Sequence, residues 1–199
     1  MRKIIAFNRV SADGYFSAPD GSLEWTVQDE ALDKAAAGRL DTTDAILFGR
    51  RTYDMFESFW PHAVDDSPTA PAPHGEPRRS REMRELGAWI NAATKIVYSR
   101  TRSAVTWRGS RLIGEFDPRE IAALKRQPGK DIMIFGSGSI ASQLTAHGLI
   151  DEYQFVVSPV VLGSGHPLLS GIASRVPLAL ADATPYPSGH VMLRYTHAG

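Results

Sequence analysis

The sequence predicts an α/β fold with a mostly parallel central sheet, helices on both of its faces and an antiparallel hairpin at the C-terminus. Apolar runs of strand length alternate with helical patterns along most of the 199 residues. The last two apolar runs, 178–183 and 190–196, flank the turn signal PYPSG instead of a helix, so they should pair antiparallel. The length and an apolar content of 43% suit one domain, residues 1–199, with a sizeable core.

The first half of the chain supplies three of the strands. Apolar runs predict strands at 3–9, 45–48 and 95–98, and helical spacing of apolar residues predicts helices at 29–40, 51–60 and roughly 81–90. Residues 61–80 contain five prolines and many polar residues. This composition indicates a long surface loop.

The second half begins with two short candidate strands, at 105–107 and 111–113. Asp117 followed by Pro118 is a helix start, because Asp caps the free N–H groups and Pro suits the first helical position. A strand at 131–135, a glycine turn and a helix to about residue 147 come next. The run at 153–162 predicts a long strand interrupted by Pro159.

Composition narrows the classes of function. The formal net charge is zero, which does not favour nucleic acid or an acidic membrane surface as a partner. There are no cysteines, and the six histidines show no metal-binding spacing, so we expect no metal. No run approaches the ~20 apolar residues of a membrane span, and the N-terminus does not resemble a signal peptide. We therefore expect a cytoplasmic protein that acts on a small molecule.

The turn after the strand at 131–135 reads GSGSIA and fits the dinucleotide-binding pattern G-x-G-x-x-A. A Rossmann site also needs an acid about 20 residues further on, to hold the ribose. That count reaches Val156 and Val157, so the Rossmann interpretation fails. A glycine turn that opens a helix still presents unpaired N–H groups and can hold a phosphate. In that case Gly138 lets a diphosphate approach the backbone; the alternative is a close-packed turn.

Two other predicted strand ends carry residue types that bind phosphate. Gly49-Arg50-Arg51-Thr52 follows one strand, and Ser99-Arg100-Thr101 follows another. Arginine suits phosphate because its planar fork bonds two oxygens at once. A solvated helix end is the alternative for either segment alone. Three such ends together favour a dinucleotide, whose pyrophosphate and 2′-phosphate can occupy all of them.

Four blocks, AILFGRRTYDMF, INAATKIVYSRT, PGKDIMIFGSGSIASQL and DEYQFVVSPVVLGSGHPLL, occur in this order. With them the sequence resembles the dihydrofolate reductase-like superfamily. The most similar branch is that of the C-terminal reductase domain of bacterial riboflavin biosynthesis and its stand-alone paralogues. The resemblance implies a three-layer fold and NADPH as cofactor. It places Arg50, Arg51 and Thr52 by the cofactor phosphates and Ser99, Arg100 and Thr101 around the 2′-phosphate. The residues it places over the pyrophosphate are Gly136, Ser137, Gly138, Ser139 and Ile140.

The resemblance implies an NADPH-dependent reductase that transfers a hydride to a pterin, pyrimidine or related heterocycle. Two alternatives are the riboflavin-pathway 5-amino-6-(5-phosphoribosylamino)uracil reductase and a non-catalytic nucleotide-binding protein. Stand-alone relatives also imply a homodimer.

Reduction of a C=N or C=O bond requires a proton donor. Asp29 is the first candidate, with Glu30 and Asp13 behind it. Desolvation is expected to raise the pKa of Asp29, as a general acid requires. The alternatives are a helix-capping acid for Asp29 and a plain turn for Asp13.

Overall fold

The computed structural model describes residues 1–26, 29–37, 40–63 and 81–198, with the side chains of Glu30, Asp33, Ala36 and Ala37 left out. Most of the proline-rich segment at 61–80 therefore lies outside the described residues. The described strands are β1 (Ile4–Ser11), β2 (Tyr15–Ser17), β3 (Thr43–Gly49), β4 (Thr94–Tyr98), β5 (Ser110–Ile113), β6 (Asp131–Phe135), β7 (Glu152–Ser158), β8 (His166–Pro167), β9 (Leu178–Pro185) and β10 (Val191–His197). The described helices are α1 (Glu30–Ala37), α2 (Arg50–Phe59), α3 (Arg81–Ala92), α4 (Pro118–Arg126) and α5 (Gly138–Ala146).

Eight strands form one sheet in the order β5-β4-β3-β6-β1-β7-β10-β9. The pairs from β5 to β7 are all parallel, whereas β10 is antiparallel to both β7 and β9. The predicted sheet and its C-terminal hairpin are thus confirmed. Because the strands are parallel, β3, β4, β6 and β1 end at the same edge, which brings their following turns together.

Helices cover both faces of the sheet. On one face, Ile121 of α4 and Ile140 and Leu144 of α5 are buried against the strands. On the other, Tyr53 of α2 and Ile90 of α3 pack over β3 and β4, and Leu32 of α1 packs over β7 and β10. The result is a three-layer α/β fold. No helix in the described ranges combines the length and the apolar character needed to cross a membrane.

Two strand predictions are wrong in part. Residues 105–107 form no strand, because the Trp107 N–H donates to Glu57 (3.2 Å) and to the Tyr53 hydroxyl (3.3 Å) on α2 instead of to a neighbouring strand. β7 ends at Ser158 and does not reach residue 162, since Pro159 has no N–H for the ladder. The short pair β2 and β8 was not predicted.

Candidate active site

The glycine turn between β6 and α5 is built from two left-handed residues. Gly136 has φ 57° and Ser137 has φ 54°, which is uncommon for a residue with a side chain. Two hydrogen bonds hold Ser137 there: its Oγ accepts from the Gly49 N–H (2.9 Å), and its own N–H donates to Thr52 Oγ1 (3.1 Å). The turn is therefore tied to the start of α2, so two helix N-termini lie side by side.

The first amides of α5 point out of this turn. The N–H groups of Ile140 and Ala141 are bonded to Ser137 O, at 2.8 and 3.0 Å. Within the described residues, the N–H groups of Gly138 and Ser139 have no partner. Together with the positive end of the helix dipole, these two amides suit an anion.

The structure shows a packing reason for the glycine at position 138. A Cβ at this position would lie 2.7 Å from the carbonyl oxygen of Leu168. The backbone of the segment before β9 therefore packs directly on Gly138, and this close contact with Leu168 by itself requires a glycine. At Gly136 a Cβ would meet the Phe16 ring at 3.0 Å.

The neighbouring strand ends bring arginines to the same edge. Arg51 and Arg100 are exposed and form no ion pair within the described residues. Arg50 is half-exposed and pairs with Asp54 on its own helix at 3.3 Å. Two of the predicted phosphate ligands accept hydrogen bonds from backbone N–H groups: Thr52 Oγ1 accepts from Ser137, and Ser99 Oγ accepts from Thr101 (3.2 Å) and Arg102 (3.0 Å).

A cavity of about 630 Å³ opens on the face that carries α1, α2 and α3. It reaches the start of the glycine turn, because Gly136 and Phe16 both border it. Its aromatic lining among the described residues is Phe7, Phe16, Phe56, Phe59, Trp60, Phe135 and Tyr186. A cavity of this size and character fits a small planar molecule.

A row of polar side chains crosses the floor of the cavity. Gln154, Arg194 and Asp182 are register partners on β7, β10 and β9. The guanidinium of Arg194 lies 3.6 Å from Asp182 and 3.8 Å from Glu152, so two negative charges more than offset its positive charge. Gln154 donates to Glu152 at 2.6 Å. These groups can form hydrogen bonds with an uncharged ligand.

Asp29 caps helix α1. Its Oδ1 accepts from the N–H groups of Ala31 (2.8 Å) and Leu32 (3.1 Å), and its Oδ2 accepts from the Ser188 hydroxyl. Burial raises the pKa of Asp29, but these hydrogen bonds and the nearby His190 outweigh it, so the pKa is lowered from 3.8. The expectation of a raised pKa is wrong. Asp29 also does not border the cavity.

Of the other two candidate acids, the structure describes the side chain of Asp13. The hydrogen bond from Ser11 lowers the pKa of Asp13 to about 2, and the amides of Leu162 and Gly163 act in the same direction. Asp13 accepts from Gly163 at 2.7 Å and so ties the turn after β1 to the loop after β7. The side chain of Glu30 lies outside the described residues.

The structure also shows groups at the site that the sequence interpretation missed. Phe16 covers Gly136 from a strand too short to have been predicted. Asn8 is buried in the middle of β1 and borders the cavity. One signal was available: Asn8 is the only polar uncharged residue of the apolar run 4–8, IIAFN.

The family of the chain follows from comparison with known proteins. The sequence profile of the RibD C-terminal domain matches residues 2–192. The chain belongs to this family. The protein YyaP of Bacillus subtilis (strain 168) is 29% identical over 194 residues, which are 98% of this chain and 94% of YyaP. The riboflavin biosynthesis protein RibD of Corynebacterium ammoniagenes is 28% identical over 181 residues, which are 86% of this chain and 49% of that protein.

Solved structures share the fold of this RibD C-terminal domain. A pyrimidine reductase-like protein from Corynebacterium diphtheriae matches with a TM-score of 0.66 and 16% identity, covering 100% of this chain and 92% of that one. Dihydrofolate reductase from Enterococcus faecalis, complexed with NADP(H), matches with a TM-score of 0.61 and 14% identity over 99% and 97% of the two chains. The fold is therefore dihydrofolate reductase-like, as the sequence predicted.

Proposed function

We propose that this member of a reductase family uses NADPH to transfer a hydride to an uncharged, planar heterocycle such as a pterin or a pyrimidine. One observation carries the proposal: an edge built for phosphate and an aromatic cavity meet at Gly136. A dinucleotide has both parts, a charged pyrophosphate and a flat ring. Family membership supports the oxidoreductase class, and the edge and cavity support the cofactor and the substrate type.

The residues at the edge fit NADPH. The free amides of Gly138 and Ser139 would hold the pyrophosphate, and the exposed Arg51 and Arg100 would hold the remaining phosphate charge. When bound, the cofactor supplies the hydride. The chain's own part is to orient the two rings between aromatic side chains.

The proton that completes the reduction is proposed to come from solvent and not from Asp29. The carboxylate of Asp29 is ionised at neutral pH because its pKa is lowered, and its oxygens already accept three hydrogen bonds. An ionised carboxylate that caps a helix is poorly suited to general acid catalysis.

The polar floor argues for a substrate without phosphate. The riboflavin-pathway intermediate carries a phosphoribosyl group, which would need unpaired cations. Among the described residues, Arg194 of the lining is more than offset by Asp182 and Glu152, and Arg9 takes part in an interaction of its own. An uncharged heterocycle loses less hydration on entering such a cavity.

The proposal is tested by following NADPH oxidation with pterins and with pyrimidines that carry or lack a ribose phosphate. We expect turnover with an unphosphorylated ring. Ala35→Trp, which narrows the cavity on the side of α1, should abolish turnover while NADPH still binds. Binding of NADPH without oxidation of any of these rings would make the chain a nucleotide-binding protein, and turnover confined to the phosphorylated pyrimidine would make it the riboflavin-pathway enzyme.

We also propose that the chain acts as a homodimer, by analogy with stand-alone relatives. Sedimentation at micromolar concentration checks this, and a mass of 21.8 kDa would contradict it.

A further inference from the structure

The side-chain carboxamide of Asn8, on β1, has no hydrogen-bond partner among the described residues. The residue is 2% exposed, and both Nδ2 and Oδ1 are buried without a hydrogen-bond partner. A carboxamide offers two donors and an acceptor with two lone pairs, and burying it unpaired costs free energy. An apolar residue of the same size would be more favourable for folding alone.

The place of Asn8 in the sheet is unusual as well. β1 pairs with β6 only as far as Phe7 opposite Phe135, because β6 turns away at Gly136. On its other side β1 continues to pair with β7, up to Ser11 opposite Ser158. Asn8 is therefore the first residue of β1 beyond the end of β6, at an opening in the sheet.

This opening joins the two halves of the site. Gly136 begins the glycine turn, and both Gly136 and Asn8 border the cavity. A dinucleotide whose pyrophosphate lies on the free amides of Gly138 and Ser139 must pass Gly136 to bring its other end into the cavity. The part of the dinucleotide that follows the pyrophosphate and one ribose is the nicotinamide.

We infer that Asn8 binds the carboxamide of the nicotinamide ring and is the residue that selects and orients this ring. Two primary carboxamides are complementary, because each can donate an N–H to the oxygen of the other. The pair would satisfy the group that the protein leaves unpaired. The inference rests on the proposed use of NADPH.

A second residue provides a matched control. Ser158 is fully buried, and its Oγ also has no hydrogen-bond partner in the described part of the chain. Unlike Asn8, Ser158 does not border the cavity. If any unpaired buried group affected cofactor binding through the fold, Ser158→Ala would act like a change at Asn8.

The experiment titrates the full chain with two reduced cofactors, followed by cofactor fluorescence. One is NADPH; the other is its acetylpyridine analogue, in which a methyl ketone replaces the carboxamide and removes both N–H donors. We expect the native chain to bind NADPH about tenfold more tightly than the analogue, the size of one or two neutral hydrogen bonds. Asn8→Leu should bind both cofactors equally, at about the affinity of the analogue. Ser158→Ala should keep the native ratio.

Thermal unfolding of the cofactor-free variants separates this role from a structural one. Asn8→Leu should melt at or above the native temperature, because it removes an unpaired buried amide. If Asn8→Leu does not fold, Asn8→Ala replaces it in the same titrations. Equal affinity of the native chain for both cofactors, or an unchanged ratio in a folded Asn8 variant, overturns the inference and leaves the proposed function intact. Failure of the native chain to bind NADPH overturns both.

Discussion

At the scale of single residues, two nearby arginines have different partners. Arg100 is exposed and has no ion pair within the described residues, whereas Arg102 pairs with Asp54 and with Glu57 (3.0 Å) and lies 4.9 Å from the Tyr53 ring centre. Arg100→Ala should weaken NADPH binding by roughly 10- to 100-fold through loss of a charge-assisted bond to the 2′-phosphate, with NADH nearly unchanged. Fluorescence titration with both cofactors measures this.

Arg102→Ala is the control for that prediction. It removes the ion pairs that join the loop after β4 to α2, so it should lower the unfolding midpoint in urea. The ratio of NADPH to NADH affinity should stay at the native value. If Arg100→Ala weakened the binding of NADPH and NADH equally, Arg100 would not be the residue that contacts the 2′-phosphate.

Asp29 gives a prediction about pH. Its pKa is lowered below 3.8 in the folded chain, so its contribution to stability is fully present above 3.8 and is lost as the pH falls through the folded-state pKa. Asp29→Asn keeps a capping oxygen but loses the charge. The variant should be less stable than the native chain at neutral pH and equally stable in strong acid. Urea unfolding across this range measures the difference.

The same variant tests the source of the proton. Once a substrate is known, Asp29→Asn should keep its turnover, because an ionised carboxylate donates no proton. A fall of about 10²- to 10⁴-fold, the usual contribution of a general acid, would restore Asp29 as the donor.

At the scale of elements, the turn before α5 depends on a backbone contact. Gly138→Ala places a Cβ 2.7 Å from Leu168 O, so the segment before β9 must move. We expect a loss of roughly 1–3 kcal/mol in the free energy of unfolding, as for other overpacked sites. Gly114→Ala is the control, because its Cβ meets nothing within 4 Å, and it should change stability by less than about 0.5 kcal/mol. A Gly138→Ala variant as stable as Gly114→Ala would contradict this packing.

Elements with local signals were predictable from the sequence. The helix at Pro118 begins where Asp117 caps it, with the Asp117 carboxylate accepting from Arg119 N at 2.8 Å. The strand at 131–135 has the predicted bounds, because its apolar centre, residues 132–134, is buried in the middle of the sheet. Both predictions depend on patterns of only a few consecutive residues.

Features that depend on distant residues were not predictable. Trp107 leaves the sheet because Tyr53 and Glu57 on another element bind its N–H. Leu168 fills the space at Gly138 from 30 positions away in the chain, and the lowered pKa of Asp29 requires Ser188. In each case the role of the residue depends on a contact with a residue that is distant in the sequence, and the sequence does not reveal that contact.

At the scale of the whole molecule, the strand order creates the site. β3, β4 and β6 are separated in the chain by dozens of residues, yet they are consecutive neighbours in the sheet. Because all three are parallel, the arginines after β3 and β4 and the free amides of α5 meet at one edge. The residues of this edge could be recognised in the sequence, but their proximity follows from the order of the strands in the sheet.

Binding of the cofactor at this edge should raise the thermal stability of the whole chain. A ligand that binds only the folded chain stabilises it by about 2.7 kcal/mol at 100 times its Kd. For a chain of this length, each kcal/mol raises the melting temperature by roughly 2–4 °C, so saturating NADPH should raise it by roughly 5–11 °C. At the same NADPH concentration, Arg100→Ala should show a smaller shift, because its Kd is larger. The native chain with NADH should behave like Arg100→Ala. Calorimetry that finds no NADPH-dependent shift in the native chain would contradict the assignment of the edge to a dinucleotide.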